Sequence, residues 1–449
     1  MVVGGGLAGL VVAHTLTERG HDVRLLEATG RAGGRILTIR APWRDGLFVE
    51  AGAAHVVGDP ALLALCATMG VKIERRAQTR GLAQVSFIGG KRAVAPAGAA
   101  LPPAHPLRAD EASLTSDQRM AKHFPEVGTF DPTLPFPPAL LPLDAVTGGE
   151  LLRGRGASAG WIAEIDGMFG LGDRGVEGMS ALSMVQAWAE MRREIALGGG
   201  GHVVGGTDRL PAAIAARLGD RIIYGAEVSC IDQTARVARV TFRRGGQQSV
   251  LDAGRVVVAI PAPVLARLTV LPALSPEKQA ALSALELESV TRVWLEADKR
   301  FWIARGEAGR ARTDLASGPV RDESDGLPGA AGILGVYATR AASRRLGPLS
   351  DGDRVAALLA DVDRVHPGLR DHFVAGASKC WDADPFQRGA YAYFKPGQLT
   401  GIAPHLGRAE SRLHFAGDHT SHRPGFMHGA LASAHRVLAE IAAAPPAPG

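Results

Sequence analysis

Apolar and polar positions change period twice near the start of the chain. Val2 and Val3 are an apolar stub before a run of glycines. The stretch "LAGLVVAHTLTERG" then sets Leu7, Leu10, Val11 and Leu16 on one helical face and ends at Gly20, a residue suited to a left-handed cap. "DVRLLEA" follows as a buried strand ending in Glu27, so the pattern predicts strand, turn, helix, strand. Further on, "EIDGMFGLG" and "MSALSMVQAWAEMRREIA" read as helices, "SPEKQAALSALEL" as a helix capped by Ser275 with Glu277 close behind, and "SVTRVWLEA" as a strand. The proline-dense passage from Pro96 to Pro142 predicts a long loop or lid. Ala308 to Gly332, rich in Gly, Asp and Ser, predicts a surface loop. The closing "GALASAHRVLAEIAAA" carries little Lys or Arg on its face, so it is expected to pack on the first strand–helix unit rather than lie on a membrane.

Length changes this picture, because 449 residues exceed one core and call for two domains. The composition excludes several classes. Hydrophobic residues make up 46% and charged residues 21%, and no apolar run reaches the ~18 residues of a membrane span. The formal charge of +5 comes from scattered arginines without a like-charge block, which argues against nucleic acid and leaves mild steering of anionic ligands. Cys66, Cys230 and Cys380 are too few and too far apart for a disulfide framework or a CxxC metal site. A cytoplasmic location is the default expectation. Three residues before the first glycine are fewer than a usual strand of about five, so an upstream start, and any export signal, stays open.

Gly4, Gly6 and Gly9 fit G-x-G-x-x-G between a strand and a helix, with the acid Glu27 roughly 20 residues on. A pyrophosphate can sit on such a helix N-terminus only where nothing larger than hydrogen projects from the turn. Glu27 would accept hydrogen bonds from ribose hydroxyls. A second small-residue turn, "GRAGGR", follows with Arg31, Gly33, Gly34 and Arg35, and an arginine there can hold a phosphate bidentately.

With that second turn, and with "LHFAGDHTSHRPGFMHGALASAHRVLAEI" at the other end, the chain resembles the flavin-dependent amine oxidase family, of which monoamine oxidases and L-amino-acid oxidases are members. "GGTDRLPAAIAARLG", "GAEVSCI" and "RVVVAIPAPVLARL" fall in the family's order. The resemblance implies an α/β fold: a Rossmann-like FAD-binding domain from residues 1–75, 200–280 and 385–449, and a discontinuous α+β substrate-binding domain from 76–199 and 281–384. It implies a cofactor site of Gly4, Gly6, Leu7, Ala8, Gly9, Glu27, Ala28, Arg31, Gly33, Gly34, Arg35, Gly52, Ala53, Val228, Trp381, Gly417, Asp418, Gly425, Phe426 and Met427. Val228 would clasp the adenine through its backbone, and the helix from about Phe426 would aim its positive end and the Met427 amide at the flavin. Ala390 stands where some members carry a flavin-linking cysteine, so the implied FAD is noncovalent.

The catalytic positions implied by the resemblance are Arg292, Tyr391, Phe426, Trp381 and His55. Trp381 would lie beside the flavin, with Tyr391 and Phe426 as the jaws of an aromatic cage; plain core packing is the alternative for these rings. Arg292 stands where many family oxidases hold a water with a lysine, and arginine cannot serve as a proton acceptor. Fast reaction with oxygen is therefore in doubt, unless Arg292 is a surface residue one turn out of place. His55 falls where amino-acid oxidases commonly clamp a carboxylate with arginine, which favours a primary or secondary amine unless Arg292 takes the carboxylate.

The expected activity is oxidation of an amine C–N bond to an imine, with reoxidation by O2, forming H2O2, or by another acceptor. The alternatives are an L-amino-acid oxidase, a phytoene- or protoporphyrinogen-type desaturase acting on C–C bonds, and a non-catalytic flavin-binding protein. The expected partners are a small-molecule amine and an electron acceptor, with a homodimer left open. His414, His419, His422 and His428 crowd one stretch, but a metal would need more ligands on one face, so none is expected. No G-x-S-x-G elbow or GxxxxGK[ST] loop supports a hydrolase or a triphosphatase.

Overall fold

The computed structural model describes residues 1–445 apart from 57, 77–80, 98, 100–104, 169–174, 198–199 and 316–317. Short apolar strands gather into a five-stranded parallel sheet in the order Leu413–Phe415, Val256–Val258, Val2–Val3, Leu25–Glu27, Ile222–Tyr224. All of these except Ile223 and Tyr224 are buried, as parallel strands covered on both faces must be. The Leu7–Glu18 helix packs through Leu7, Leu10 and Val11 against Leu431, Ala434, Val437 and Leu438 of the Met427–Ala443 helix, so the two ends of the chain share one core. Ligands of such sheets bind outside the carboxyl ends of the strands, where the glycine turn lies.

A second sheet has seven strands, in the order Phe373–Cys380, Val290–Ala297, Gly332–Thr339, Val320–Asp322, Glu307–Thr313, Ala83–Ile88, Lys91–Ala95. Every pairing is antiparallel except Glu307–Thr313 with Ala83–Ile88. Helices of residues 109–196 cover a separate core around Trp161, Trp188, Phe124 and Leu152. The architecture is mixed α/β.

Two local expectations are corrected. Residues 308–332 are not a surface loop: they supply the strands Glu307–Thr313 and Val320–Asp322, with Ala311 and Val320 buried. Glycine and aspartate gather there at strand edges and turns, which masked the short apolar alternation. The proline-dense passage holds short helices, Ser116–His123 under a Thr115 cap and the 3-10 turns Pro125–Gly128 and Pro138–Ala145; Pro125 and Pro138 stand at helix starts where no amide is needed, while Pro142 sits inside the last turn. Residues 101–104, and Phe169 to Gly172 of the expected helix, lie outside the described residues; Ala159–Met168 is helical. Ser275 caps Pro276–Ala284, accepting from the Lys278 amide at 3.3 Å.

Candidate active site

The two glycine turns lie against one another. Gly33 donates its amide to the Gly5 carbonyl at 2.8 Å. A methyl on Gly9 would stand 2.0 Å from the Gly4 carbonyl oxygen, so this glycine lets helix and strand approach. A methyl on Gly6 would meet nothing within 4 Å and would project into open space instead. Gly6 is also the cap of the Leu7–Glu18 helix, and no side chain hydrogen-bonds there. Glu27, buried, accepts the Gly5 amide at 2.7 Å and the Thr29 amide at 2.8 Å. Its carboxylate therefore stays at the turn, where a ribose would reach it.

Arg31 and Arg35 do different work. Arg31 turns its guanidinium onto the carbonyls of Gly34 (2.6 Å) and Ile36 (3.0 Å), bracing the second turn from behind the cavity wall. Arg35 reaches Asp418 at 2.5 Å and donates to the Ala390 carbonyl. Burial pushes the Asp418 carboxyl up, but Arg35, His419 and the Gly425 amide outweigh it and hold the group below the usual range. The Met427–Ala443 helix begins behind Phe426, and no side chain caps it. Its first amides thus offer donors and positive potential to whatever lies in front.

These parts line one cavity of about 3440 Å³. Gly4, Gly6, Leu7, Ala8, Glu27, Ala28, Gly33, Gly34, Arg35, Gly52, Ala53, Val228, Gly417, Asp418, Gly425 and Met427 stand on its wall, as do Trp381, Tyr391, Phe426, Arg292 and His55; Gly9 and Arg31 stand behind it. The residues fit FAD: a cavity with room for a dinucleotide, two uncapped helix N-termini, and a glycine edge that a single methyl would occupy.

Also on the cavity wall, Trp381 is buried and donates to the Ala51 carbonyl at 2.9 Å. Phe426 is 43% exposed and stacks on His428, ring centroids 5.1 Å apart. The Tyr391 phenol hydrogen-bonds with Tyr337, and burial raises it well above the ordinary tyrosine value. Arg292 is buried: it pairs with Glu323, donates to the Glu50 carbonyl, and lies 5.2 Å from the Trp294 ring and 5.5 Å from the Tyr337 ring, while its buried Nε has no partner among the described residues. Gly335 opens this arrangement, because a methyl there would stand 2.7 Å from Glu323 Cγ. His55 meets His202 edge-on at 4.7 Å. Burial, then the charge of Arg321, lower the His55 pKa, so the ring is neutral at pH 7. Glu50 accepts from Thr38 and from the Thr207 amide, both at 2.8 Å, yet burial lifts its pKa to about 7.

Sequence reasoning missed Tyr337, Glu50, Arg321 and Glu323. Strand register is the signal that unites three of them, for Tyr337 pairs with Arg292 and Arg321 pairs with Gly335 two residues away. It also missed a buried ionic cluster behind Phe426: Arg423 contacts Glu190 at 2.5 and 3.0 Å and Asp59 at 3.0 Å. The crowded histidines separate: His414 meets Glu440, His422 meets the Thr133 carbonyl, and His428 lies under Phe426.

The profile of flavin-containing amine oxidoreductases matches residues 7–442. The chain is 28% identical to the putative L-amino-acid oxidase YobN of Bacillus subtilis, over 98% of this chain and 94% of that one. It is 27% identical to an L-amino-acid oxidase of Siganus canaliculatus, over 98% and 84%. In fold it is similar to a putrescine oxidase bound to putrescine, with TM-score 0.83 and 22% identity over 99% and 98% of the chains. A cyclohexylamine oxidase from Brevibacterium oxydans gives TM-score 0.79 and 20% identity over 98% of each.

Proposed function

We propose, from the premise that this chain belongs to the flavin-containing amine oxidoreductase family and is an FAD-dependent enzyme, that it oxidises an amine held among Trp381, Tyr391 and Phe426 to the imine. The observation that carries this reading is the single cavity running from the glycine turns, past two uncapped helix N-termini, to those three rings. In the reaction the carbon loses a hydride equivalent, the nitrogen loses a proton and a C=N bond forms, which water later hydrolyses. FAD, when bound, supplies the acceptor for that hydride.

The chain's own residues bind and orient. The Leu7–Glu18 helix N-terminus and Glu27 hold the nucleotide end, by phosphate and ribose respectively. The Met427 amide and its neighbours stabilise negative charge at the far end. Ala390 offers no sulfur, so the cofactor is held without a covalent bond. The walls of Trp381, which is buried, and Tyr391 remove water from the nitrogen, which favours the uncharged amine and exposes its lone pair. Arg292, its charge balanced by Glu323, leaves no titratable amine at that place. We therefore assign reoxidation to an acceptor other than oxygen.

The test is anaerobic mixing of the FAD-loaded protein with a panel of primary and secondary amines. Loss of the visible flavin absorbance, with a carbonyl product after hydrolysis, is expected. If no amine bleaches the flavin, the proposal fails. Mixing the reduced protein with oxygen or with a quinone dye checks the acceptor: faster return with oxygen overturns that part.

A further inference from the structure

We propose that His428 is a positioning residue for amine oxidation: its ring is the support on which Phe426 stands as one wall of the amine site. The inference rests on the amine-oxidation reading and adds to it a residue that acts through Phe426.

Phe426 needs a support. Its ring is 43% exposed on the cavity wall, so little packing fixes its rotamer on that side. The chain around it is closely folded. Gly425 takes φ +89°, and a methyl there would touch Tyr391 at 3.8 Å, while a methyl on Gly429 would stand 1.9 Å from the Arg423 carbonyl oxygen. These two glycines bring the turn against the opposite jaw and fold the helix start back on Arg423. What they leave free is the Phe426 side chain. The ring stacked on it is His428, tilted by only 13° with centroids 5.1 Å apart, a separation at which offset aromatic pairs attract.

His428 is in turn held from behind. It lies on the first turn of the Met427–Ala443 helix and is 2% exposed. Its Nε2 stands 3.6 Å from Glu190 Oε2 on the Ala181–Ala196 helix. Both Glu190 oxygens accept from Arg423, which also donates to Asp59 Oδ2. Asp59 Oδ1 accepts the Ala61 and Leu62 amides at the start of the Pro60–Thr68 helix, and Arg193 approaches Oδ2 at 3.5 Å. Three helices are thus tied together beside one imidazole. Burial, then the charge of Arg423, hold the His428 pKa down to about 3, so the ring turns an uncharged face to Phe426. Both ring nitrogens are buried and have no hydrogen-bond partner among the described residues, so what the imidazole offers is its face. A phenyl ring could supply the same face. An aliphatic side chain of similar size would fill the space without one.

The experiment uses the FAD-loaded wild type, His428→Leu, His428→Phe, Phe426→Leu and the double variant His428→Leu, Phe426→Leu. Amine turnover is measured on each, and benzyltrimethylammonium, whose quaternary nitrogen has neither a hydrogen nor a lone pair and cannot be oxidised, is titrated by calorimetry. His428→Leu raises the amine KM and weakens the quaternary cation about 3- to 10-fold, the worth of one aromatic pair, with kcat changed about twofold at most. His428→Phe recovers both, and in the double variant the His428 change adds nothing to the loss from Phe426→Leu. FAD affinity stays within about twofold throughout, whereas a loosened helix start would release the cofactor as well. Unchanged KM and cation binding in His428→Leu, losses that add in the double variant, or a parallel loss of FAD overturns the inference; if His428→Phe does not fold, the double variant still decides. If no amine reduces the flavin yet the cation follows the cycle, the support stands and the amine-oxidation reading falls; if amines are oxidised but the losses add, the reverse holds. A wild type that takes neither amine nor cation overturns both.

Discussion

Replacing Arg423 by methionine removes one cation from between two buried acids. Arg423 is 6% exposed, Glu190 4% and Asp59 4%, so neither carboxylate can turn to water when its partner is lost. The guanidinium spans both: Nε and Nη2 to Glu190, Nη1 to Asp59 at 3.0 Å. Breaking a buried pair by deleting one partner costs about 3–5 kcal/mol. At about 2.1 cal/mol/K per residue, 449 residues give an unfolding entropy of roughly 0.9 kcal/mol/K, so the melting temperature falls by about 3–5 °C. The pH dependence has a definite sign. Burial raises Asp59, but hydrogen bonds from Arg423 and the Leu62 amide bring it below its ordinary value. In the wild type its contribution is therefore complete above the unfolded pKa and lost only as pH falls through the lower folded one. Without Arg423 the buried acid is raised instead, and the penalty is relieved as pH falls. His428, held down to about 3 by burial and then by Arg423, is also freed to take a proton. Thermal melts of the holoprotein at fixed FAD should show the gap widest near pH 7.5 and narrower near pH 5. A gap below about 1 kcal/mol, or one independent of pH, refutes the reasoning; so does a Glu190→Gln, Arg423→Met double variant whose loss is the plain sum of the two.

Gly6→Ala should leave the apoprotein melt unchanged, since a methyl there meets no protein atom, yet weaken FAD about tenfold or more in a fluorescence titration; equal FAD affinity would remove Gly6 from the cofactor edge. Glu27→Gln replaces an acceptor of two amides that, in the proposed site, also meets the ribose, and should weaken FAD by roughly 1–3 kcal/mol in the same titration. Glu50, an acid raised to about 7 by burial, binds its proton more tightly folded than unfolded, so stability falls as pH rises from about 4.5 to 7, by roughly 3 kcal/mol in all; Glu50→Gln should flatten that slope in denaturant unfolding.

Sequence alone determined the cofactor end. The strand–glycine–helix–strand unit, Glu27, the second glycine turn and the closing helix are local patterns whose spacing is set by helical and strand periods, so they could be read without knowing what packs where. The cap at Ser275 was legible for the same reason. Tertiary structure alone decided the substrate end. Arg292 took its character from Glu323 and from the Glu50 carbonyl, and Arg321 from the register that lays it on Tyr337. The strands at 307–313 and 320–322 are too short for their alternation to outweigh their glycines, and Arg423 meets Asp59 across 364 positions of sequence. A charged side chain's role depends on which opposite charge the fold brings beside it, and no period along the chain encodes that meeting.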